Sequence, residues 1–277
     1  MTVASLAEVL RPCLTDGTAV AGLVVLGWED ARAYVAAAEA EARPVILQAG
    51  PGCRAHTPLP VLGAMFRSLA EAAQVPVVAH LDHASDFALC RQAIDSGFTS
   101  VMYDGSALPL QANIDRTAEI VAMAHRLGVS VEAELGYVGY DAGQVSRATD
   151  PDEAARFVLE TGVDALAVSV GNTHLMRAPG SQIDRDRLRA IEAAIPGLPL
   201  VLHGGSGIAP EDRRSLALSN ICKFNIGTEL RMAFGAALRA TLQDHPDRFD
   251  RIAILSATMP LMEASARTVI HGLWAKA

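Results

Sequence analysis

Short apolar segments alternate with longer amphipathic segments along almost the whole chain. Apolar segments with the length and composition of buried strands cover residues 19–26, 45–48, 77–81, 100–103, 129–134, 165–170, 200–202 and 221–226. Segments with a helical spacing of apolar residues cover 29–42, 59–74, 86–96, 113–127, 151–160, 184–194, 210–219 and 228–243. Strands that alternate with helices predict a parallel sheet, and eight is the number of strands that closes a barrel.

The predicted fold class is therefore α/β, a (β/α)8 TIM barrel with a C-terminal helical extension over 251–277. A doubly wound open sheet is the alternative. Such a sheet would have a GxGxxG motif after its first strand and its polar motifs at one switch point, whereas here the polar motifs follow many strands. Because no low-complexity linker divides the chain, residues 1–277 are expected to form a single domain.

Polar residues cluster where the predicted strands end. They are Asp82 and His83 after the third strand, Asp104 after the fourth, Glu132 and Glu134 at the end of the fifth, His174 after the sixth, 203–207 after the seventh and 225–228 after the eighth. In a (β/α)8 barrel these positions all lie on the C-terminal rim, where such enzymes carry out their chemistry. Residues far apart in sequence are then expected to be neighbours.

The three histidines of this rim, His83, His174 and His203, predict a metal site. Neutral imidazoles from separate strands are the usual ligands of a catalytic zinc ion, which keeps one position open for substrate. A single histidine beside a strand is more often a hydrogen-bonded structural residue, but packing does not require three of them at one rim. The structural interpretation is kept for the remaining histidines: His56, His80, His125, His245 and His271.

The acidic residues of the rim each allow two interpretations. Asp82 is either a general acid/base at the metal or a carboxylate that orients a histidine. Because adjacent strand residues point to opposite faces, Asp82 and His83 both face the pocket only if the strand is ending in a turn. Glu132 and Glu134 share one face of their strand. They need a metal, a lysine or a substrate as partner, unless they lie exposed beyond the strand end.

Two segments, 204–207 and 225–228, predict a phosphate site. The glycines of the first segment let backbone N–H groups approach an anion, and Ser206 and Thr228 can add hydroxyl donors. The loops after strands seven and eight are also where barrels commonly bind phosphate.

Composition and charge narrow the choice of partner and compartment. The net charge is −8 and the lysines and arginines form no cluster, which argues against a nucleic-acid-binding face. The N-terminus lacks a basic segment followed by an apolar core, and no apolar run is long enough to span a bilayer. The four cysteines are scattered without a CxxC motif, which is typical of free thiols in a reducing cytoplasm. A disulfide framework is the less favoured alternative.

These motifs, in this order, resemble the class II, metal-dependent fructose- and tagatose-bisphosphate aldolases. The matching stretches are HLDH at 80–83, SVMYDGS at 100–106, VEAELG at 131–136, LVLHGGSGI at 200–208 and KFNIGTEL at 223–230. The resemblance implies zinc at His83, His174 and His203, and a proton exchange between Asp82 and the substrate's C4 hydroxyl. It implies that Asp104 and Glu134 support the metal or offer it an alternate position.

The resemblance also implies a small-molecule sugar phosphate as partner. Gly204, Ser206, Asn225 and Thr228 would hold the phosphate of dihydroxyacetone phosphate, with a monovalent cation nearby. A homodimer or homotetramer is expected on the same grounds, as is a function in carbohydrate metabolism.

The chain departs from the family's pattern on the other half of the substrate. The usual asparagine after strand one and serine after strand two are absent from LVVLG at 23–27 and QAGP at 48–51. The loop YVGYDAG at 137–143 lacks the family's loop glutamate, so only Asp141 could move the corresponding proton. The arginine that grips the far phosphate aligns with Met262.

The expected reaction is therefore the cleavage of a ketose phosphate to dihydroxyacetone phosphate and an aldehyde other than glyceraldehyde 3-phosphate, with Arg177 as a candidate contact of that aldehyde. The alternatives are a sugar-phosphate epimerase or isomerase that uses the same enediolate, and a non-catalytic sugar-phosphate-binding protein.

Overall fold

The structure is a computed structural model that describes residues 2–140 and 145–274. The described residues form a closed barrel of parallel strands in the order β1 to β8, with β8 paired to β1. The strands are β1 Val20–Val24, β2 Val45–Ala49, β3 Val77–Ala84, β4 Ser100–Tyr103, β5 Ser130–Leu135, β6 Ala165–Val168, β7 Leu200–Leu202 and β8 Ile221–Ile226. The predicted (β/α)8 barrel is confirmed, and the open sheet is wrong.

Helices connect successive strands and form the outer layer. They are α1 Leu6–Leu10, α2 Cys13–Asp16, α3 Trp28–Glu41, α4 Pro51–His56, α5 Leu59–Ala72, α6 Phe87–Asp95, α7 Leu110–His125, α8 Pro151–Thr161, α9 Arg185–Ala194, α10 Pro210–Leu216, α11 Thr228–Asp244, α12 Arg251–Ser256 and α13 Met259–Trp274. The predicted C-terminal extension is thus two helices within the described residues, and α13 packs against α3, α11 and β1. The short helices α1, α2 and α4 were not predicted.

The barrel interior is apolar near the N-terminal ends of the strands and polar toward their C-terminal ends. Val20, Ile46 and Val78 pack with Leu6 and Leu10 of α1, so that this helix closes the bottom of the barrel. The outward-facing strand residues pack against the surrounding helices in a second, larger cluster. Burial of these two apolar layers fixes the strands, and their C-terminal ends therefore meet at one rim.

The cysteines agree with the expectation of free thiols. Cys13, Cys53, Cys90 and Cys222 are all buried and free. Within residues 2–140 and 145–274, no helix combines the length and the apolar character needed to cross a membrane.

Candidate active site

The end of β3 is distorted in a way that turns two neighbouring side chains into the same pocket. The pairing register of β3 with β4 shifts between Leu81 and Ala84, and His83 lies between them in the left-handed region, with φ of 52°. This conformation is strained for a residue with a Cβ and is found where the surroundings hold it in place. Asp82 and His83 both line the rim cavity, so the turn that the sequence analysis required is present.

His83, His174 and His203 converge at this rim. The ring centroids of His83 and His203 are 4.8 Å apart, and that of His174 lies 5.5 Å from each of them. One nitrogen of each ring lies within 4.8 Å of the others, close enough for the three to hold one metal ion. The loop after β5 fixes His174, whose backbone N–H donates to the Gly139 carbonyl and whose ring stacks on Tyr140 at 5.0 Å.

Asp104 and Glu134 lie beside the histidines, and both carboxylates are close to His83. The Nδ1 of His83 is 2.8 Å from an Asp104 carboxylate oxygen and 3.9 Å from Glu134 Oε2. These three residues form a second group with metal-binding geometry. Among the described residues, Glu134 Oε2 and His203 Nδ1 are buried without a hydrogen-bond partner, and they face each other at 3.4 Å. A cation between such atoms would remove the cost of burying them unpaired.

The pKa values at the rim reflect an excess of buried negative charge. Burial disfavours charge on His83, but Asp82, the hydrogen bond to Asp104 and the charge of Glu134 outweigh it and raise the pKa of His83 to about 10. Burial and the nearby Asp104 charge raise the pKa of Glu134 to about 8. Burial and the charge of His83 lower the pKa of His174 to about 4. The positive charge that these carboxylates attract onto His83 is charge that a metal ion can supply.

Below the rim lies a fully buried polar cluster, which we call the Lys223 cluster: Lys223, Glu132, His80 and Ser100. Lys223 Nζ donates to Glu132 Oε2 at 2.6 Å and to His80 Nε2 at 3.2 Å. Since an ammonium can only donate, His80 carries its proton on Nδ1, which lies 2.8 Å from Ser100 Oγ. The other oxygen of Glu132 accepts from His203 Nε2 at 3.1 Å. This bond leaves the lone pair of His203 on Nδ1, which faces the rim.

The predicted phosphate-binding segments line the same cavity as Asp82, His83 and His174. Gly204, Ser206, Asn225 and Thr228 all contribute to its wall, and the cavity has a volume of about 350 Å³. Gly204 adopts a φ of +66°, and a Cβ there would lie 2.1 Å from the Thr173 carbonyl oxygen, so the turn requires glycine. Thr228 begins α11, whose N-terminus adds a favourable field for an anion.

The structure places most of the predicted site residues in one cavity. Asp141 lies outside the described residues. Arg177 is exposed and does not line the cavity. Sequence reasoning missed Tyr140 and Arg231, which line the cavity, and it missed Lys223 as the partner of Glu132. A lysine within a segment predicted to be a buried strand was a signal that could have identified it.

Comparison with known proteins identifies the family and relatives of the same fold. The family model described as class-II fructose-bisphosphate aldolase matches residues 4–276. The YdjI aldolase from Escherichia coli K12 has 32% sequence identity and a TM-score of 0.85, with 98% of this chain and 97% of that chain covered. A protein described as a candidate fructose-1,6-bisphosphate aldolase from Coccidioides immitis has 26% identity and a TM-score of 0.85, with 99% and 97% covered. The fructose-bisphosphate aldolase of Campylobacter jejuni shares the fold at 24% identity, a TM-score of 0.80 and coverage of 98% and 95%.

Proposed function

The chain belongs to the class II fructose-bisphosphate aldolase family, and we propose that it is a zinc-dependent aldolase that cleaves a ketose phosphate to dihydroxyacetone phosphate and an aldehyde. The observation that carries this proposal is one cavity lined by Asp82, by His83 and His174 of the histidine cluster, and by the phosphate-binding segments. We place the reaction in the cytoplasm, in a homodimer or homotetramer.

The described residues fit a metal ion. His83, His174 and His203 would hold it, and Asp104 and Glu134 would support it or offer it a second position. Three imidazoles with neighbouring carboxylates suit zinc, and the unpartnered Nδ1 of His203 and Oε2 of Glu134 are the atoms that such an ion would satisfy. When bound, the ion would polarise the substrate ketone and stabilise the negative charge that develops on it during cleavage. A monovalent cation near the phosphate is part of the same proposal.

In this proposal Asp82 moves the proton of the C4 hydroxyl. Burial would raise its pKa, but the positive charge of His83, with that of Lys223, outweighs that effect and holds the pKa of Asp82 below its usual value. Asp82 is therefore ionised at neutral pH and can act as a base. Asn225 Nδ2 donates to its carboxylate at 3.4 Å and helps to hold it at the cavity wall.

In the cleavage direction, the C4 hydroxyl gives its proton to Asp82, and the C3–C4 bond breaks to leave an aldehyde at C4. The electron pair stays on the ketone half, and a proton added at C3 completes dihydroxyacetone phosphate, so atoms and electrons balance without an oxidant or reductant. Asp141 is the residue that we propose to carry this second proton. Gly204, Ser206, Asn225 and Thr228 would hold the phosphate throughout.

Chelation tests the proposal. Protein stripped of metal should lose the release of dihydroxyacetone phosphate from ketose phosphates and regain it with zinc, whereas cleavage that a chelator leaves unchanged would contradict it. Product analysis separates an aldolase from an epimerase or isomerase, since those enzymes yield no free triose phosphate. Exchange of the C–H proton of dihydroxyacetone phosphate with solvent deuterium separates an enzyme from a non-catalytic binding protein.

A further inference from the structure

A buried ion pair lies behind the two phosphate-binding segments and joins them. Arg213 of α10 is only 6% exposed. Its Nη1 lies 2.9 Å from Glu229 Oε1, and its Nη2 donates to Glu229 Oε2 at 3.3 Å, which is the fork geometry by which a guanidinium holds a carboxylate. Its Nε donates to the Ile208 carbonyl at 2.9 Å. Arg213 therefore connects the end of the turn after β7 to the first turn of α11.

The turn after β7 and the start of α11 are in close contact. A Cβ on Gly205 would lie 3.0 Å from the Asn225 carbonyl oxygen, so glycine allows this approach. Ser206 Oγ accepts the backbone N–H of Glu229 at 3.3 Å. Because a hydroxyl can accept one hydrogen bond while it donates another, Ser206 keeps its own proton for a phosphate. The residue that positions this hydroxyl thus carries a carboxylate of its own.

The side-chain charge of Glu229 opposes the binding of a phosphate at this place. A carboxylate in the first turn of a helix competes with an anion for the field of the helix N-terminus, and it also repels the anion directly. Arg213 and Glu229 both line a separate cavity of about 170 Å³ against α13, whereas the described wall of the rim cavity contains neither of them. The ion pair therefore holds the carboxylate on the side of α11 that faces α13 and neutralises its charge.

We propose that Arg213 is a positioning residue of the phosphate subsite: it neutralises Glu229 and keeps the carboxylate away from the phosphate, while the backbone of Glu229 orients Ser206. This inference rests on the proposed aldolase function, because it assigns a role at the phosphate-binding part of the same site. Arg213 does not touch the substrate and acts through Glu229 and Ser206.

The test compares zinc-loaded Arg213→Met with the parent protein. The Kd of inorganic phosphate is measured by calorimetry, and KM and kcat are measured for exchange of the dihydroxyacetone phosphate C–H proton with solvent. The Kd and the KM should each rise about 10-fold, the lower end of the range for a lost charged hydrogen bond, because Arg213 acts on the phosphate without touching it. The kcat and the zinc affinity should change little, as expected for a loss of binding shared by ground state and transition state.

Three further variants separate the charge of Arg213 from its packing. Arg213→Met/Glu229→Gln removes both charges and should recover most of the phosphate affinity, and Arg213→Lys, which still supplies a positive charge, should retain most of it. Glu229→Gln alone should bind phosphate at least as tightly as the parent, and this variant decides the question if Arg213→Met does not fold. Arg214→Met is the matched control, because it also removes one positive charge from α10 but at an exposed position; it should leave the Kd unchanged.

Several outcomes would overturn the inference. One is an unchanged Kd for phosphate in Arg213→Met. Another is a double variant that binds phosphate as weakly as Arg213→Met, because the loss would then come from loosened packing. Weaker binding in Glu229→Gln, or a loss confined to kcat or to zinc affinity, would overturn it as well.

Failure of the proposed function gives a different result. A parent protein that binds phosphate but performs neither exchange nor cleavage contradicts the aldolase, while the phosphate constants of the variants still decide the role of Arg213. A parent protein that binds no phosphate overturns the inference together with the phosphate site.

Discussion

Replacement of Lys223 by methionine tests how the barrel stabilises the buried Glu132 carboxylate beneath the rim. The Lys223 and Glu132 side chains are both 0% exposed, and Nζ and Oε2 are 2.6 Å apart. Methionine keeps the length and apolar stem of lysine but removes the ammonium. The carboxylate of Glu132 would then be buried with only His203 as a donor.

The expected cost is large because the pair is so close and so deeply buried. At 2.6 Å and an effective dielectric constant of 20, the attraction between the two charges is about 6 kcal/mol. The variant no longer has to desolvate an ammonium, which offsets part of this loss. Breaking a buried ion pair from one side costs about 3–5 kcal/mol in the free energy of unfolding, and we expect Lys223→Met to fall in that range.

The assay is urea unfolding of the metal-free protein, with Arg67→Met as the control. Arg67 forms an exposed ion pair with Glu71 at 2.9 Å, and such pairs contribute at most about 1 kcal/mol. The double variant Lys223→Met/Glu132→Leu removes both buried charges and should recover most of the lost stability. It should not recover zinc affinity, because His203 then lacks the acceptor that orients it, and a loss of roughly 10- to 100-fold is expected in competition with a chelator.

The reasoning fails if Lys223→Met unfolds at the same urea concentration as the parent protein. It also fails if the double variant is no more stable than the single one, because the cost then did not come from an unpaired charge. A double variant that binds zinc as tightly as the parent would show that Glu132 does not position His203.

Three further predictions address the proposed chemistry and the buried thiols. Asp82→Asn should lower kcat by about 10²- to 10⁴-fold, as expected for a lost acid/base, while zinc affinity measured with a competing chelator changes little; loss of zinc would instead make Asp82 a structural support. Since the pKa of His83 is raised to about 10 and that of Glu134 to about 8, both hold protons at pH 7 without metal. Zinc binding at pH 7 should therefore release at least one proton per ion, and its affinity should rise with pH up to about 10; a dye assay in weak buffer that detects no release would contradict this. Burial raises the pKa of Cys53 to about 11, so native protein should react slowly with a thiol reagent at pH 8 and its four cysteines should react rapidly in denaturant.

The strand pattern was sufficient to predict which residues lie at the rim, because closure of the barrel leaves little freedom in where the strand ends lie. Once eight parallel strands are recognised, the residues after each strand must share one end of the barrel, so His83 and His203 become neighbours whatever separates them in sequence. The local conformation of His83 was harder to predict. Its left-handed backbone follows from a register shift between β3 and β4, and pairing register is a property of two strands together.

The different environments of Glu132 and Glu134 show where sequence reasoning stops. Both point inward, and two residues along a strand correspond to a rise of about 6–7 Å. Glu134 therefore reaches the histidine rim, where its Oε2 faces His203 Nδ1 at 3.4 Å, while Glu132 lies one level deeper with Lys223. The sequence indicated that the two carboxylates needed partners such as a metal or a lysine. Which carboxylate pairs with which partner depends on the height along the barrel axis at which β8 places Lys223. The stagger of the strands around the closed barrel sets that height.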